Sequence, residues 1–178
     1  MPPAPALRPA ADLKSIALLV FDFDGVFTTN QVLVMQDGTE GVLANRSDGL
    51  GIGMLRKVGK PAMLVLSAET NPVVRARCDK LKLDCVQGEA DKLGALQRVL
   101  RERGVDARNV AYVGNDVNDV PCMNHVGLAI AVADSWEGVT NHAHRVTKRI
   151  GGHGAVREVC EWFLAAHNVA SGADGRNT

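Results

Sequence analysis

No excess of either charge marks this chain: its 20 Lys and Arg are balanced by 20 Asp and Glu. A balanced chain has no overall field to draw in nucleic acid or an anionic membrane, so a site for an anion has to be local. Cysteine is sparse. Cys78, Cys85, Cys122 and Cys160 show no C-x-x-C spacing, which argues against a zinc site or a disulfide framework and for reduced thiols. Long apolar runs are missing too. The longest, Ile16 to Phe21, falls far short of the roughly 20 residues that span a bilayer, and Met1 to Ala10 has no apolar core of a signal peptide. The expectation is a soluble, cytoplasmic protein with neither a nucleic-acid nor a membrane partner.

The 178 residues leave room for one α/β domain and little more. The Pro- and Ala-rich start and the small polar end read as mobile tails, 1–12 and 169–178, around a domain at 13–168. Between them, short apolar runs bounded by Gly and Asp alternate with helical periodicity, the rhythm of a parallel sheet with crossover helices. Strands are expected at Ile16–Asp22, Ala62–Ser67, Val110–Gly114 and Leu128–Val132, with a weaker one at Asp84–Val86. Helices are expected at Pro72–Leu81, Asp91–Arg103, Val117–His125, Trp136–His142 and Gly154–Ala166. One segment breaks the rhythm: Val32–Met35 and Gly41–Ala44 flank an Asp37-Gly38 pair, which predicts a β-hairpin directly after the first strand. The glycines of Asp48–Gly53 give no clear helix start.

The sharpest chemical signal is Asp22-Phe23-Asp24-Gly25 at the carboxyl end of a very apolar strand. Two carboxylates there are costly unless compensated, and this end of the strands is where open α/β sheets bind ligands. Carboxylates spaced this way can share a hard divalent cation. Ser67 closes the second strand, Lys92 opens a helix, and Asn115-Asp116-Val117-Asn118-Asp119 follows the next strand. Each of these alone is an ordinary turn, surface or capping residue; their order and shared location make the case.

In that order, Asp-x-Asp, then Ser, then Lys, then an acidic cluster, the chain resembles the haloacid dehalogenase (HAD) superfamily. From Leu18 to about Leu164 it resembles the branch containing 3-deoxy-D-manno-octulosonate 8-phosphate phosphatases and the phosphatase-like domain of some sialic-acid cytidylyltransferases. Asp48-Gly49, Ala111–Asp116, Val132-Ala133-Asp134 and Gly151-Gly152-His153-Gly154-Ala155-Val156-Arg157-Glu158 carry that likeness. The resemblance implies a Rossmann-like core with a hairpin flap and no cap domain, and a magnesium-dependent phosphatase. It makes Asp22 the nucleophile and Asp24 the general acid and base. Ser67 and Lys92 are implied as phosphoryl and nucleophile partners, and magnesium falls among Asp22, Asp24, Asn115, Asp116 and Asp119.

Two departures from the branch bear on the substrate. Where octulosonate phosphatases carry Thr-Gly-Arg, this chain has Ser67-Ala68-Glu69, closer to the sialic-acid type and suited to accepting hydrogen bonds from hydroxyls or an amine. Asn115 stands where many relatives have Asp, so either the metal is held with less charge or Asp116 takes over. Capless relatives are tetramers, which implies a homotetramer here, with a composite site near Asn45, Arg46, Asp48, Arg77 and Arg157. The expected substrate is a small phosphorylated sugar acid. A non-catalytic oligomerisation module, or a phosphatase for another sugar phosphate, stands as the alternative. His142 and His144 are spaced for a strand face but have no third ligand. Trp136, Trp162 and Phe163 are expected in the core or at a subunit contact.

Overall fold

The computed structural model describes residues 9–169. The segments 1–8 and 170–178, most of the two expected tails, lie outside them. Where residues 9–12 are described, the backbone N–H of Ala11 donates to the Gly127 carbonyl, so the chain is already attached to the body there.

Six strands form one parallel sheet in the order β5-β4-β1-β6-β7-β8. They are β1 (Leu18–Phe21), β4 (Ala62–Leu66), β5 (Asp84–Val86), β6 (Val110–Gly114), β7 (Leu128–Ala131) and β8 (Arg145–Val146). The register pairs Val20 with Leu64 on one side and with Tyr112 on the other. Strands this apolar must be covered on both faces, and they are. Leu19, Phe21, Val65 and Val113 pack with α1 (Arg46–Val58), α2 (Pro72–Leu81) and α5 (Ala155–Ala166). The alternate residues Leu18, Val20, Leu64 and Tyr112 pack with α3 (Lys92–Arg103) and α4 (Val120–His125). The period of two along a strand sends neighbours to opposite faces, so one six-residue run supplies both cores.

The hairpin forms as expected and is longer, with β2 at Thr28–Val34 and β3 at Glu40–Ala44. Its two-stranded sheet is separate from the main one. Val42 packs on the core, but Val32, Leu33, Val34, Met35 and Leu43 stand more than half exposed.

Three expectations are corrected. A helix at 46–58 forms despite its glycines: Asn45 caps it by accepting from the Ser47 N–H, and Gly51 is buried where a Cβ would press on Arg157 and Cys160. Close contact with α5 therefore outweighs intrinsic propensity. The stretch Trp136–His142 is not an α-helix but a loop with a 3₁₀ turn at Val139–His142, entered through Gly138 at φ 86°. Trp136 is 66% exposed and so not core, whereas Phe163 is buried there. The helix expected from Val117 begins only at Val120, because the preceding turn serves the site. All four cysteines are free thiols, and among the described residues no helix is long and apolar enough to cross a membrane.

Candidate active site

β1 lies between β4 and β6, and the chain runs on from β1 toward β4 but from β6 toward β7, which opens a crevice between them at the strands' carboxyl ends. Asp22 follows β1, Ser67 follows β4 and Asn115 follows β6. They line a cleft of ≈ 260 Å³ with Asp24, Asn30, Ala68, Glu69, Lys92, Asp116 and Asn118.

The turn after β1 is wound tightly by the Phe23 carbonyl, which accepts from the N–H groups of Val26, Phe27 and Thr28. Gly25 sits at φ 77°, where an L side chain is strained, and a Cβ there would also strike the Asn115 amide. Thr28 locks the turn: its buried hydroxyl accepts from the N–H groups of Gly25 and Asn30 at 3.1 and 3.2 Å and donates to Asp24 Oδ1 at 3.4 Å. The second backstop is remote in sequence. Gly151 and Gly152 press against this turn so closely that a Cβ on Gly151 would collide with the Gly25 carbonyl. The N–H of Gly152 donates to the Val26 carbonyl at 3.1 Å.

Lys92 is 3% exposed and lies between two buried carboxylates, donating to Asp22 Oδ1 at 2.7 Å and Asp119 Oδ1 at 2.8 Å. Burial works against its charge, but Asp22 and Asp119 outweigh it and hold the ammonium above its ordinary pKa. Asp22 is pushed the other way. Burial first, then the Asp119 carboxylate, raise it to about 7, while Lys92 pulls it down. One cation between two buried anions leaves the centre a positive charge short. Asp24, half-buried, is also raised, by burial and then by the Glu69 carboxylate.

Asp119, expected among the metal ligands, is spent otherwise, and that expectation is corrected. Its Oδ1 accepts from Lys92 and from the Tyr112 hydroxyl at 2.7 Å. Its Oδ2 accepts from the N–H groups of Asn115 and Asp116 at 2.9 and 3.3 Å. With both oxygens engaged it anchors Lys92 and shapes the loop. Asp116 accepts from the Val117 N–H at 2.6 Å and stands at the rim.

The side-chain end of Asn115 instead lies 2.9 Å from the Asp24 carbonyl oxygen and 3.1 Å from Asp22 Oδ2. With its own oxygen there, three oxygens converge, a set of hard donors of the kind magnesium takes. Among the described residues no three His, Cys, Asp or Glu side chains converge as a metal-holding group; this cradle mixes a carboxylate, a backbone carbonyl and an amide. The donor set is all oxygen and the local charge is negative, so these residues fit a hard divalent cation.

Ser67 is 1% exposed at the cleft floor, its Oγ accepting from the Glu69 N–H at 3.1 Å and free to donate into the cleft. Glu69 Oε1 accepts from the N–H groups of Thr70 and Asn71, which fixes the side chain at the cleft it lines. The rest of the expected substrate set is not brought here within one chain. Asn45 caps α1 and its carbonyl accepts from Arg77 at 3.0 Å, while Arg46 is exposed at the first position of that helix. Asp48 is fully buried and accepts from the Arg157 N–H at 2.9 Å, tying α1 to α5. Its expected contact with substrate is therefore corrected to a structural one, and burial raises it to about 6. Arg157 Nε donates to Glu161 at 2.7 Å. Asn30 and Asn118 line the cleft without having been singled out. Nothing in the sequence distinguishes Asn30 from its strand neighbours, since its place depends on a left-handed φ of 62°.

A polar cleft, a buried carboxylate clamped by a lysine and an all-oxygen cradle beside it are features of one known class. The haloacid dehalogenase-like hydrolase family model matches residues 71–158, and the chain belongs to that family. Within it, the chain is a phosphatase similar over most of its length to 3-deoxy-D-manno-octulosonate 8-phosphate phosphatases. That of Shigella flexneri is 34% identical over 168 residues, covering 94% of this chain and 89% of the relative. A solved HAD family hydrolase from Streptomyces avermitilis is 43% identical at a TM-score of 0.85, covering 97% of each chain. The octulosonate phosphatase of Moraxella catarrhalis, solved with magnesium, phosphate and KDO, is 32% identical at a TM-score of 0.84, covering 88% of this chain and 90% of that one.

Proposed function

We propose that the chain is a magnesium-dependent phosphomonoesterase that passes the phosphoryl group of a 2-keto-3-deoxy sugar acid through Asp22. The sialic-acid or KDN 9-phosphate type is preferred over octulosonate 8-phosphate. The observation that carries the reading is Lys92 set between Asp22 and Asp119 at 2.7 and 2.8 Å, beside the cradle at Asp22 Oδ2.

Held by Lys92, Asp22 Oδ1 attacks phosphorus while Oδ2 faces the cradle, and the bond to the sugar oxygen breaks. Asp24, kept protonated longer than an ordinary carboxyl by burial and Glu69, gives its proton to the departing oxygen. The product is an aspartyl-phosphate, which splits one hard displacement into two easier ones. Asp24, now a carboxylate, takes a proton from water, whose oxygen attacks phosphorus and frees Asp22. Ser67 Oγ and the Lys92 ammonium steady the phosphoryl oxygens throughout. Asp22, the Asp24 carbonyl and Asn115 would hold magnesium, which when bound would supply the missing positive charge and let an anionic nucleophile and an anionic substrate approach.

The mouth of the cleft supports the substrate preference. Asn30, Glu69 and Asn118 offer amide groups and one carboxylate oxygen, suited to a chain of hydroxyls or an acylated amine. A panel assay of phosphate release tests it. The nine-carbon keto-acid 9-phosphate is hydrolysed at least about tenfold more efficiently (kcat/KM) than octulosonate 8-phosphate, a difference of about 1.4 kcal/mol, and EDTA stops both. An equal or reversed preference removes the meaning given to Glu69.

Among the described residues that line the cleft, the one cation, Lys92, is already held by Asp22 and Asp119, and the hairpin is apolar where it projects. Both favour a homotetramer in which a second copy covers the hairpin and brings Arg46 or Arg77 toward the mouth, since an isolated hairpin is marginal in water. Leu33 and Leu43 are 66% and 67% exposed. Changing both to Lys lowers the mass measured by light scattering from four chains toward one and raises KM. A wild-type protein that sediments as a monomer at micromolar concentration sinks the idea.

A further inference from the structure

Among the described residues that line the cleft, Asn30 alone comes from the hairpin. Its backbone is unusual for a strand. At φ 62° it lies in the left-handed region, which glycine occupies without strain and few side chains tolerate. The strand is irregular there as well. β2 pairs Thr28 with Ala44 and Val32 with Val42, so Thr29, Asn30 and Gln31 stand opposite Leu43 alone. Such bulges re-aim side chains beside active sites. The Asn30 N–H donates to Thr28 Oγ1 at 3.2 Å, and the same hydroxyl donates to Asp24 Oδ1 at 3.4 Å. Asn30 therefore sits on the Asp24 side of the cleft. Its side-chain amide makes no hydrogen bond with a described residue, whereas those of Asn45, Asn71 and Asn109 are engaged in caps or with a carbonyl.

We propose that Asn30 is a specificity-determining residue that hydrogen-bonds the hydroxyl on the carbon next to the phosphorylated one. This role rests on the phosphoryl-transfer reading given above and names the part of the substrate that the hairpin reads. Asp24 hands its proton to the departing oxygen, so the atoms beside Asp24 are those of the leaving group nearest the breaking bond. A hydroxyl there both donates and accepts, and an amide offers both in return, whereas the Glu69 carboxylate only accepts. Octulosonate 8-phosphate and the nine-carbon 9-phosphate share this hydroxyl, so Asn30 does not choose between them. It selects open-chain polyol phosphates against phosphates that lack the hydroxyl, such as a hexopyranose 6-phosphate, whose neighbouring oxygen is in the ring and has no proton to give.

Two small probes that differ only in that hydroxyl, 2-hydroxypropyl phosphate and n-propyl phosphate, test it. Each is titrated with magnesium into ¹⁵N-labelled Asp22→Asn protein, which binds without turnover, and affinities are read from the shifts. The hydroxylated probe binds roughly fivefold more tightly, the worth of one neutral hydrogen bond. Adding Asn30→Gly abolishes the preference, and n-propyl phosphate still binds within about twofold of its former affinity. Glycine suits the left-handed backbone, so the Tm of Asn30→Gly is not below that of its parent, which separates a lost contact from a damaged fold. If the two probes bind alike while Asn30 is present, or the preference survives Asn30→Gly, the proposal is overturned; the first comparison does not depend on the glycine variant folding. If the preference is seen and is lost with Asn30, yet wild type hydrolyses neither sugar-acid phosphate, the substrate reading falls and the role of Asn30 stands. If neither probe binds, both fall.

Discussion

Asp22→Asn stops turnover and leaves the protein at least as stable as wild type. The Asn oxygen still accepts from Lys92, and the nitrogen replaces a carboxylate oxygen in a residue only 5% exposed. Lost is the charge that burial and Asp119 already oppose. With the proposed nucleophile removed, kcat drops roughly 10⁵-fold or more. The stability gain has a definite pH signature. Burial and the Asp119 carboxylate raise wild-type Asp22 in the folded state to about 7, against 3.8 for an ordinary Asp, so the folded state binds more protons than the unfolded state between those values. Wild-type stability in EDTA therefore falls across that window as pH rises, relative to the variant, and the difference is constant above it. Phosphate release at saturating substrate and melting curves at pH 4 to 8 read both effects. Residual activity above about 1% of wild type would mean that another group attacks phosphorus.

Lys92→Met costs both fold and chemistry. The ammonium neutralises two carboxylates in a pocket where its side chain is 2% exposed, and removing one member of a buried ion cluster leaves uncompensated charge, typically about 3–5 kcal/mol. Asp22 limits the damage by taking a proton, so the loss is largest at high pH and smaller near pH 5. Activity falls a further 10²–10³-fold or so from the lost stabilisation of phosphoryl oxygens. Lys92→Met combined with Asp119→Asn removes a cation and an anion together and recovers a substantial part of the stability but little activity. Urea midpoints for the two singles and the double close the cycle. A Lys92→Met protein as stable as wild type would contradict the clamp.

The strand carrying Asp22 and Asp24 was legible because its apolar run is continuous and its carboxylates are out of place in it. The hairpin was legible from Asp37-Gly38, and Ser67 and Lys92 from their order along the chain. Which acidic residue faces which partner was not. Asp119 and Asn115 lie four residues apart in one polar string, and only the fold of that loop decides that Asp119 turns back to Lys92 and Tyr112. Tyr112 gave no signal, since within an apolar strand it reads as core, and its ring is core; only its hydroxyl enters the site. The helix 46–58 was hidden by its glycines, of which Gly51 serves close packing on α5 and Gly49 approach to Leu81 of α2. Asp48 and Arg157 carried a true signal with the wrong meaning: they meet each other, and no charge pattern separates a ligand contact from a tie between two helices.

The seating of Gly151 and Gly152 against the turn after β1 also orders events during synthesis. The residues that brace the nucleophile turn, through the Gly152 bond to the Val26 carbonyl, emerge from the ribosome more than a hundred residues after Asp22. Until they do, the turn has no support on that side, and a chain truncated before them keeps Asp22, Asp24, Ser67 and Lys92 without the wall that braces the first two. A chain clipped before Gly151 is therefore expected to release less phosphate than the full chain, which an assay of the truncated protein checks.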